Sequence, residues 1–363
     1  MSNTFYDIKL SEVIAETSDA KSLVFDIPED LREAFAFKAG QYLTLKFDVN
    51  GEEVRRSYSL SSAPVENKWR VCCKRVQNGL VSNHICDNLK AEDSVSLMAP
   101  DGRFVFQADE EREARYLLFA AGSGITPIIS IAKEILEKEP LSTVYMMYGN
   151  TDENNVIYKE EISDLEKKFQ GQFYIKHAYS SLAGKKGLLG GIFKKSNMDL
   201  PYYPGQVSKE TIKKLLKNYP EINLSKAHAY ICGPGSMNED VKEILIKEGC
   251  AKDQVHFESF GGAADGTDAV DGVSGNAIIE LDGSKIELDL DGSKTILDAL
   301  LDKGYDPPHS CCSGACSSCM AKLVDGKVVM EVSHALDEED IEDGYILTCQ
   351  AKPTTPTIHV VYE

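Results

Sequence analysis

The feature that most constrains this chain is the stretch from His309 to Met320, HSCCSGACSSCM. It sets Cys311, Cys316 and Cys319 in a Cys-x4-Cys-x2-Cys spacing, and a fourth cysteine, Cys349, stands in YILTCQAKP near the C-terminus. Three thiolates converging from one tight loop, with a fourth arriving from elsewhere, match the plant-type ligand spacing of a 2Fe–2S cluster, in which each iron takes two protein sulfurs. Gly314 and Ala315 keep the loop free of bulk, so that backbone N–H groups can reach the sulfur atoms and help set the potential. Zinc and disulfides are the competing readings of four cysteines, but zinc sites usually repeat a short cysteine pair, of which only one is present, and nothing else in the chain looks secreted. Cys312 offers a rival register with Cys316; Cys311 is preferred because it alone gives the x4 gap.

A chain of 363 residues fits two or three domains better than one. Its net charge of −19 argues against nucleic acid and anionic membrane surfaces, and favours a protein partner with a basic docking patch. The opening MSNTFYDIKL has no basic segment followed by an apolar run, so no signal peptide is expected. The most apolar long stretch, Tyr116 to Ala132, is broken by Gly122, Gly124 and Pro127, which argues against stable membrane insertion. Ten cysteines, four of them given to iron, fit a reducing cytoplasm.

From Phe5 to about Phe106 short strand-like runs separated by turns predict an antiparallel barrel, with Leu80 to Leu89 as its one helix. From about Arg112 strands and helices alternate, which predicts a parallel sheet covered on both faces. Within this region the segment from Ala183 to Gly205 reads as an extra loop. Gly261 to Asn276 is rich in Gly, Asp and Ala without periodicity and reads as a flexible linker. Beyond it come a hairpin turning at Asp282-Gly283 and a helix capped by Ser293 and ending at Gly304. The expected divisions are therefore 1–110, 111–260, a linker over 261–276, and 277–363.

Three further constellations carry chemistry. In RRSYSLSSAP, Arg56 and Tyr58 share one face of a strand, and Ser57 and Ser59 the other. An arginine can clamp a diphosphate, a tyrosine can stack on a flat heterocycle, and a serine can meet a ring nitrogen. Gly79, Leu80, Val81 and Ser82 open a helix whose free N–H groups suit a phosphate. Gly122, Ser123, Gly124 and Thr126 follow a buried-type strand, with Thr126 as N-cap and Pro127 next, although the third glycine of the usual dinucleotide fingerprint is missing. Cys232, Gly233 and Pro234 lie at the end of a later strand, again on the carboxyl edge where such sheets bind ligands; a buried core thiol is the alternative reading of Cys232.

Taken together, these ordered motifs resemble the ferredoxin–NADP reductase superfamily over nearly the whole chain, in the arrangement of reductase components of oxygenase and epoxidase systems. The resemblance implies a six-stranded antiparallel flavin-binding barrel, a parallel α/β nicotinamide-nucleotide domain and a C-terminal β-grasp ferredoxin domain. It implies Arg56 at the FAD diphosphate, Tyr58 on the isoalloxazine and Ser59 near its N5, with Ser57, Lys74 and Val76 around the flavin and Gly79 to Ser82 at the diphosphate. It sets Gly122 to Thr126 and Cys232 to Pro234 at the nicotinamide nucleotide. Ser59, Cys232 and Glu258 become the catalytic set, with Phe260 closing that segment. Thr151, Asp152 and Glu153 stand where many relatives carry an arginine for a 2′-phosphate, and Gln206 replaces another basic position, which favours NADH over NADPH. Lys185, Lys186, Lys194 and Lys195 in the extra loop are the charges that can reverse this preference.

The implied activity is electron transfer from NAD(P)H through FAD and 2Fe–2S to a partner oxygenase, epoxidase, desaturase or similar acceptor. A stand-alone flavin oxidoreductase with a small acceptor, or a non-enzymatic iron–sulfur redox sensor, are the alternatives; Cys312 is the one feature that favours the sensor. Shortening the linker is expected to slow partner reduction while leaving ferricyanide reduction by NAD(P)H intact; equal loss of both rates would count against a moving third domain.

Overall fold

The computed structural model describes residues 4–49, 51–183, 202–260, 272–312, 314, 316–333, 335–336 and 338–362. The first domain contains β1 (Tyr6–Thr17), β2 (Ala20–Asp26), β3 (Tyr42–Val49), β4 (Glu52–Ser59), β5 (Trp69–Lys74), α1 (Leu80–Asn88) and β6 (Ser94–Leu97). Its six strands run in the order β4-β3-β6-β1-β2-β5, all antiparallel. A bridge between Leu60 and Val71 joins the two outer strands and closes the barrel. Alternation drives this closure: Leu43, Leu45 and Phe47 of β3, with Leu23 and Phe25 of β2, turn inward on a core shared with Val81 and Ile85 of α1.

The second domain follows as β7 (Arg115–Ala121), α2 (Ile125–Lys138), β8 (Thr143–Asn150), α3 (Lys159–Lys168), β9 (Phe173–Tyr179), β10 (Tyr202–Pro204), α4 (Lys209–Asn218), β11 (Ala227–Cys232), α5 (Gly235–Lys247) and β12 (Val255–Glu258). These strands form one parallel sheet in the order β10-β9-β8-β7-β11-β12. Separate apolar clusters pack on its two faces, so β7 and β8 are buried along all but their end residues and read as nearly continuous apolar runs.

The third domain comprises β13 (Gly275–Leu281), β14 (Ser284–Leu290), α6 (Ile296–Asp302), β15 (Met320–Asp325), β16 (Val328–Met330), α7 (Glu338–Glu342), β17 (Tyr345–Leu347), β18 (Ala351–Pro353) and β19 (Thr357–Val361). Its mixed sheet, ordered β14-β13-β19-β15-β17, packs on α6 through Ile279, Leu288, Ile296, Leu300 and Val360. The Asp282-Gly283 turn has both residues at positive φ, 50° and 74°, the conformation that a tight two-residue hairpin needs.

Several local expectations shift. The α2 helix begins at Ile125, after a 3₁₀ turn over Gly122–Gly124, so Thr126 lies inside the first turn and is not the N-cap. Its hydroxyl donates to the Ser123 carbonyl at 3.0 Å, and the glycines let the chain tighten two residues early. Thr295, not Ser293, caps α6 by accepting from the Asp298 N–H; Ser293 instead binds Asp291. Within the expected extra loop, residues 184–201 lie outside the described set, and Tyr202–Pro204 add an edge strand beside β9. The expected linker lies outside that set over residues 261–271, whereas Gly272 and Val273 already hydrogen-bond Gly292 and Pro353 of the third domain.

The first two domains are joined by a charged network. Arg70 of β5 grips Glu161 of α3 with contacts of 2.8 and 3.0 Å and lies 4.4 Å over the Tyr158 ring. Lys133 of α2 reaches Glu161 at 2.9 Å and Glu66 at 2.6 Å. Tyr158 hydrogen-bonds Ser61 at 2.7 Å and holds a left-handed backbone (φ 61°), a strained conformation for a large side chain. Burial pushes the Glu161 carboxyl up, but Lys133 and Arg70 outweigh it and hold the group below its ordinary value. Glu161→Ala leaves both cations short of an acceptor and is expected to cost about 3 kcal/mol, read as a lower urea midpoint; an unchanged midpoint would show that the network carries no stability.

Candidate active site

Strand β4 ends at the meeting point of all three domains. Ser57 and Ser59 face the same way, as the pleat requires. The Ser59 hydroxyl donates to Glu258 Oε2 at 3.3 Å, and Glu258 pairs in register with Cys232 across β11 and β12. One pleat back, Ser57 Oγ lies 2.5 Å from Ser310 Oγ, and Ser310 directly precedes Cys311. Thr44 Oγ1 also meets Ser310 at 2.7 Å, and the Tyr42 hydroxyl meets Ser318 at 2.6 Å. The side chain of Ser57 is thus turned towards the cysteine loop.

The four expected ligands, Cys311, Cys316, Cys319 and Cys349, are all buried and carry free thiols. They meet as two pairs: the Cys316 thiol hydrogen-bonds Cys311, and the Cys319 thiol hydrogen-bonds Cys349. Among the described residues no three His, Cys, Asp or Glu side chains gather around one ion position. Two pairs of sulfurs suit two metals taking two thiolates each better than one tetrahedral ion. The Gly314 N–H reaches Cys349 sulfur, and the N–H groups of Cys311 and Ser318 reach Cys316. Gly314 has φ 70°, and a side chain there would run 2.8 Å from the Val332 carbonyl, so no other residue fits comfortably. Cys312 stays exposed beside this set.

On the barrel side, Gly79 opens α1 with no side-chain cap, leaving its first-turn N–H groups to a ligand. A Cβ at Gly79 would stand 2.5 Å from Ser82 Oγ, and that hydroxyl in turn holds the Val76 N–H at 3.1 Å. A side chain at Gly79 would therefore displace the Ser82 hydroxyl that holds the Val76 N–H. Val76 itself is exposed, Leu80 is exposed and Val81 is buried in the barrel core. Arg56 and Tyr58 lie on the other face of β4; the Tyr58 ring packs on the barrel core, and its hydroxyl lies 3.4 Å from Cys73 Sγ.

A cleft of about 660 Å³ opens along the carboxyl edge of the parallel sheet. Gly122, Ser123, Gly124, Gly233, Pro234 and Phe260 line it. A Cβ at Gly124 would lie 2.2 Å from the Cys232 carbonyl, so the two loops can approach only through glycine. Asn150, buried in the same wall close to the Tyr148 hydroxyl, has amide atoms without a well-aligned hydrogen-bond partner among the described residues, which fits a polar ligand. Thr126 is buried beneath the turn, and Cys232 is fully buried, its thiol pushed well up by burial and then by Glu258. Asp152 and Glu153 line a neighbouring cavity; Asp152 caps the Asn154 N–H and Glu153 pairs with Lys159 at 2.7 Å. The acidic residues therefore do not face this cleft. Its described wall there is neutral, with Thr151, Ser180, Gln206 and Ser208, and Lys74, paired with Asp19 at 3.7 Å, is its one cation.

A smaller cavity of about 280 Å³ lies where the domains join, lined by Tyr42, Arg103, Phe257, Glu258, Cys316 and Asp340. Arg103 holds Asp340 of α7 with two contacts of 3.0 Å. Nothing local marked Tyr42, Arg103, Ser310, Ser318 or Asp340 as site residues, because each acquires its partner more than two hundred positions away.

Comparison with known proteins agrees with this geometry. Residues 7–106 match the oxidoreductase FAD-binding domain, 118–243 the oxidoreductase NAD-binding domain, and 279–354 the 2Fe-2S iron-sulfur cluster binding domain. The chain is 31% identical to a subunit of the 1,2-phenylacetyl-CoA epoxidase of Escherichia coli K12, covering 99% of this chain and 98% of that one. It is 34% identical to the ferredoxin reductase component of the 3-ketosteroid-9-alpha-monooxygenase of Rhodococcus rhodochrous, over 98% and 96% of the two chains. Its fold is similar to that of phthalate dioxygenase reductase, with a TM-score of 0.61 at 23% identity over 99% and 98% of the chains.

Burial pushes the Glu258 carboxyl up to about 8, with the Ser59 hydrogen bond opposing and Cys311 adding to the rise. A carboxyl raised above its ordinary 4.5 stabilises the fold while protonated. That contribution is complete below about 4.5 and is lost as pH rises through about 8. Glu258→Gln, which cannot ionise, should therefore gain in melting temperature relative to the parent between those limits. A difference that stays flat with pH would remove the assignment.

Proposed function

Because the chain belongs to the ferredoxin–NADP reductase superfamily, as a reductase with FAD-binding, NAD-binding and 2Fe–2S domains, we propose that it draws electrons from NADH and delivers them to a partner oxygenase or epoxidase. The observation that carries this reading is the double engagement of β4: Ser59 meets Glu258 at the nucleotide domain, and Ser57 meets Ser310 at the cysteine loop.

When bound, FAD supplies the change from two-electron hydride chemistry to single electrons, and the 2Fe–2S cluster carries them one at a time. The chain's part is to hold, orient and insulate. Arg56 and the N-terminus of α1 bind the FAD diphosphate, and Tyr58 stacks on its ring system. Ser59 and Glu258 form a hydrogen-bonded pair at the hydride-receiving side, where Glu258 can hold a proton. Cys232 and Gly124, in contact through their backbones, shape a water-poor floor for the nicotinamide. Asn150 offers its amide to the nucleotide. Cys311, Cys316, Cys319 and Cys349 would hold the cluster through their four thiolates.

The uncharged wall formed by Thr151, Ser180, Gln206 and Ser208 supports NADH, since among the described residues a 2′-phosphate there finds no arginine. No described helix is long and apolar enough to cross a membrane. Free thiols throughout and an iron–thiolate site support a reducing, cytoplasmic setting. The domain boundaries follow the same logic, with residues 1–110, 111–260 and 277–363 as working units.

Anaerobic titration of the holoprotein followed by visible absorbance tests the route. NADH should bleach the flavin bands and then the cluster bands; failure of both NADH and NADPH to bleach either would end the proposal. Removing residues 277–363 should abolish partner reduction while sparing ferricyanide reduction. Gln206→Arg is expected to move the NADPH-to-NADH ratio of kcat/KM upward by about tenfold, the equivalent of one good charge-assisted contact.

A further inference from the structure

Six cysteines lie outside the cluster set, and two of them face each other in the barrel. Cys73 stands on β5 and Cys86 on the last turn of α1, 1% and 6% exposed. The Cys73 thiol hydrogen-bonds the Cys86 sulfur, and Cys86 Sγ also lies 3.9 Å from the Cys73 carbonyl. On its other side Cys73 Sγ contacts the Tyr58 hydroxyl at 3.4 Å. The other four cysteines offer no such pair outside the cluster set: Cys72 sits among Ser22, Glu16 and Tyr158, Cys250 turns to the Ala227 carbonyl, Cys232 faces Glu258, and Cys312 turns to the Ser310 carbonyl beside the cluster set.

We propose that Cys73 and Cys86 form a peroxide-sensitive dithiol whose oxidation to a disulfide loosens the FAD site. The unequal environments of the two sulfurs define their roles. Cys86 is pushed down to about 7, first by the hydrogen bond from Cys73, against burial, and then by Arg75 and Lys21. Cys73 is pushed up by donating that bond and by burial. Position assigns the attack to Cys86, the less buried of the two and on the helix that carries Asn83 and Asp87, the partners of Arg75, and the resolving step to Cys73, enclosed by the Tyr58 hydroxyl and the Lys74 carbonyl. The Cys86 thiolate attacks one oxygen of hydrogen peroxide, the O–O bond breaks, and the leaving hydroxide takes a proton to become water. Cys73 sulfur then attacks Cys86 sulfur, the S–O bond breaks, and the hydroxyl leaves as a second water with the proton given up by Cys73. Two thiols and one peroxide become one disulfide and two waters, with two electrons passing from sulfur to oxygen.

The consequence follows from position. A disulfide needs its sulfurs about 2.05 Å apart, closer than hydrogen-bonded thiols stand. Closing that gap either draws Cys73 away from Tyr58 or shifts α1, whose N-terminus is Gly79 to Ser82. Both movements disturb groups assigned above to FAD, and this step rests on that assignment.

The test treats the holoprotein with hydrogen peroxide under anaerobic conditions, then maps disulfides in an unreduced digest and measures flavin fluorescence in an ultrafiltrate. We expect a peptide pair joined through Cys73 and Cys86, about a tenfold rise in released FAD, and reversal of the cross-link by dithiothreitol with FAD restored on re-addition. Cys86→Ser should retain FAD after peroxide and reduce ferricyanide at the parental rate beforehand. Recovery of Cys73 and Cys86 unlinked while other thiols oxidise would overturn the proposal, as would a cross-link that leaves FAD retention unchanged. The mapping requires no variant and no flavin, so untreated protein that fails to hold FAD would defeat the cofactor assignment separately.

Discussion

The period of a β-strand organises this molecule. Residues on one face of a strand are separated by roughly 7 Å, two residues at about 3.3 Å each. On β4 that spacing lets Ser59 touch the nucleotide domain and Ser57 touch the cysteine loop, while Arg56 and Tyr58 turn to the opposite face. One short segment therefore brings the nucleotide domain and the cysteine loop to within two residues of each other. A one-residue slip in the β3–β4 register would turn both serines away together. The register is well anchored, because Leu43 and Leu45 of β3 are fully buried and cannot exchange faces without exposing the barrel core.

The two domain interfaces differ in kind. The barrel and the parallel domain share Arg70, Glu161, Lys133, Glu66 and Tyr158, a network in which most groups have two or more partners. Removing one partner from such a network strands a charge, so it resists separation. The third domain meets the barrel mainly through hydroxyl pairs, with Arg103–Asp340 and the longer Arg55–Asp306 contact of 3.8 Å at its sides. Hydroxyl pairs exchange readily with water, and Arg103 is half exposed, so this contact costs less to open. The same chain thus binds two domains tightly and the third more lightly, which suits a carrier that must face a flavin and then a partner.

Much of this was legible in the chain because the deciding signals are local. The cysteine spacing, the strand–helix alternation from Tyr116 onward and the glycines at Gly122 and Gly124 all act within a few residues. Errors arose where two local solutions compete. Thr126 and Ser293 are good cap residues, yet Gly124 and Thr295 take those positions because the preceding turns tighten differently. The acidic pair Asp152 and Glu153 looked like a ribose-facing wall, but their carboxylates are spent on Asn154 and Lys159. The part of the cleft wall formed by Thr151, Gln206 and Ser208 carries no charged side chain, while Lys74 and Asp240 line it elsewhere.

By itself the sequence determined the three fold types and their order, since each depends on side-chain period, turn chemistry or spacing along the backbone. Only the tertiary structure decided how the cysteines pair two by two, which hydroxyls meet across domains, and that Cys73 finds Cys86 beneath Tyr58. Those contacts join elements whose approach is fixed by core packing, and hydrophobic burial sets distances between segments without leaving a mark at either end of the chain that it brings together.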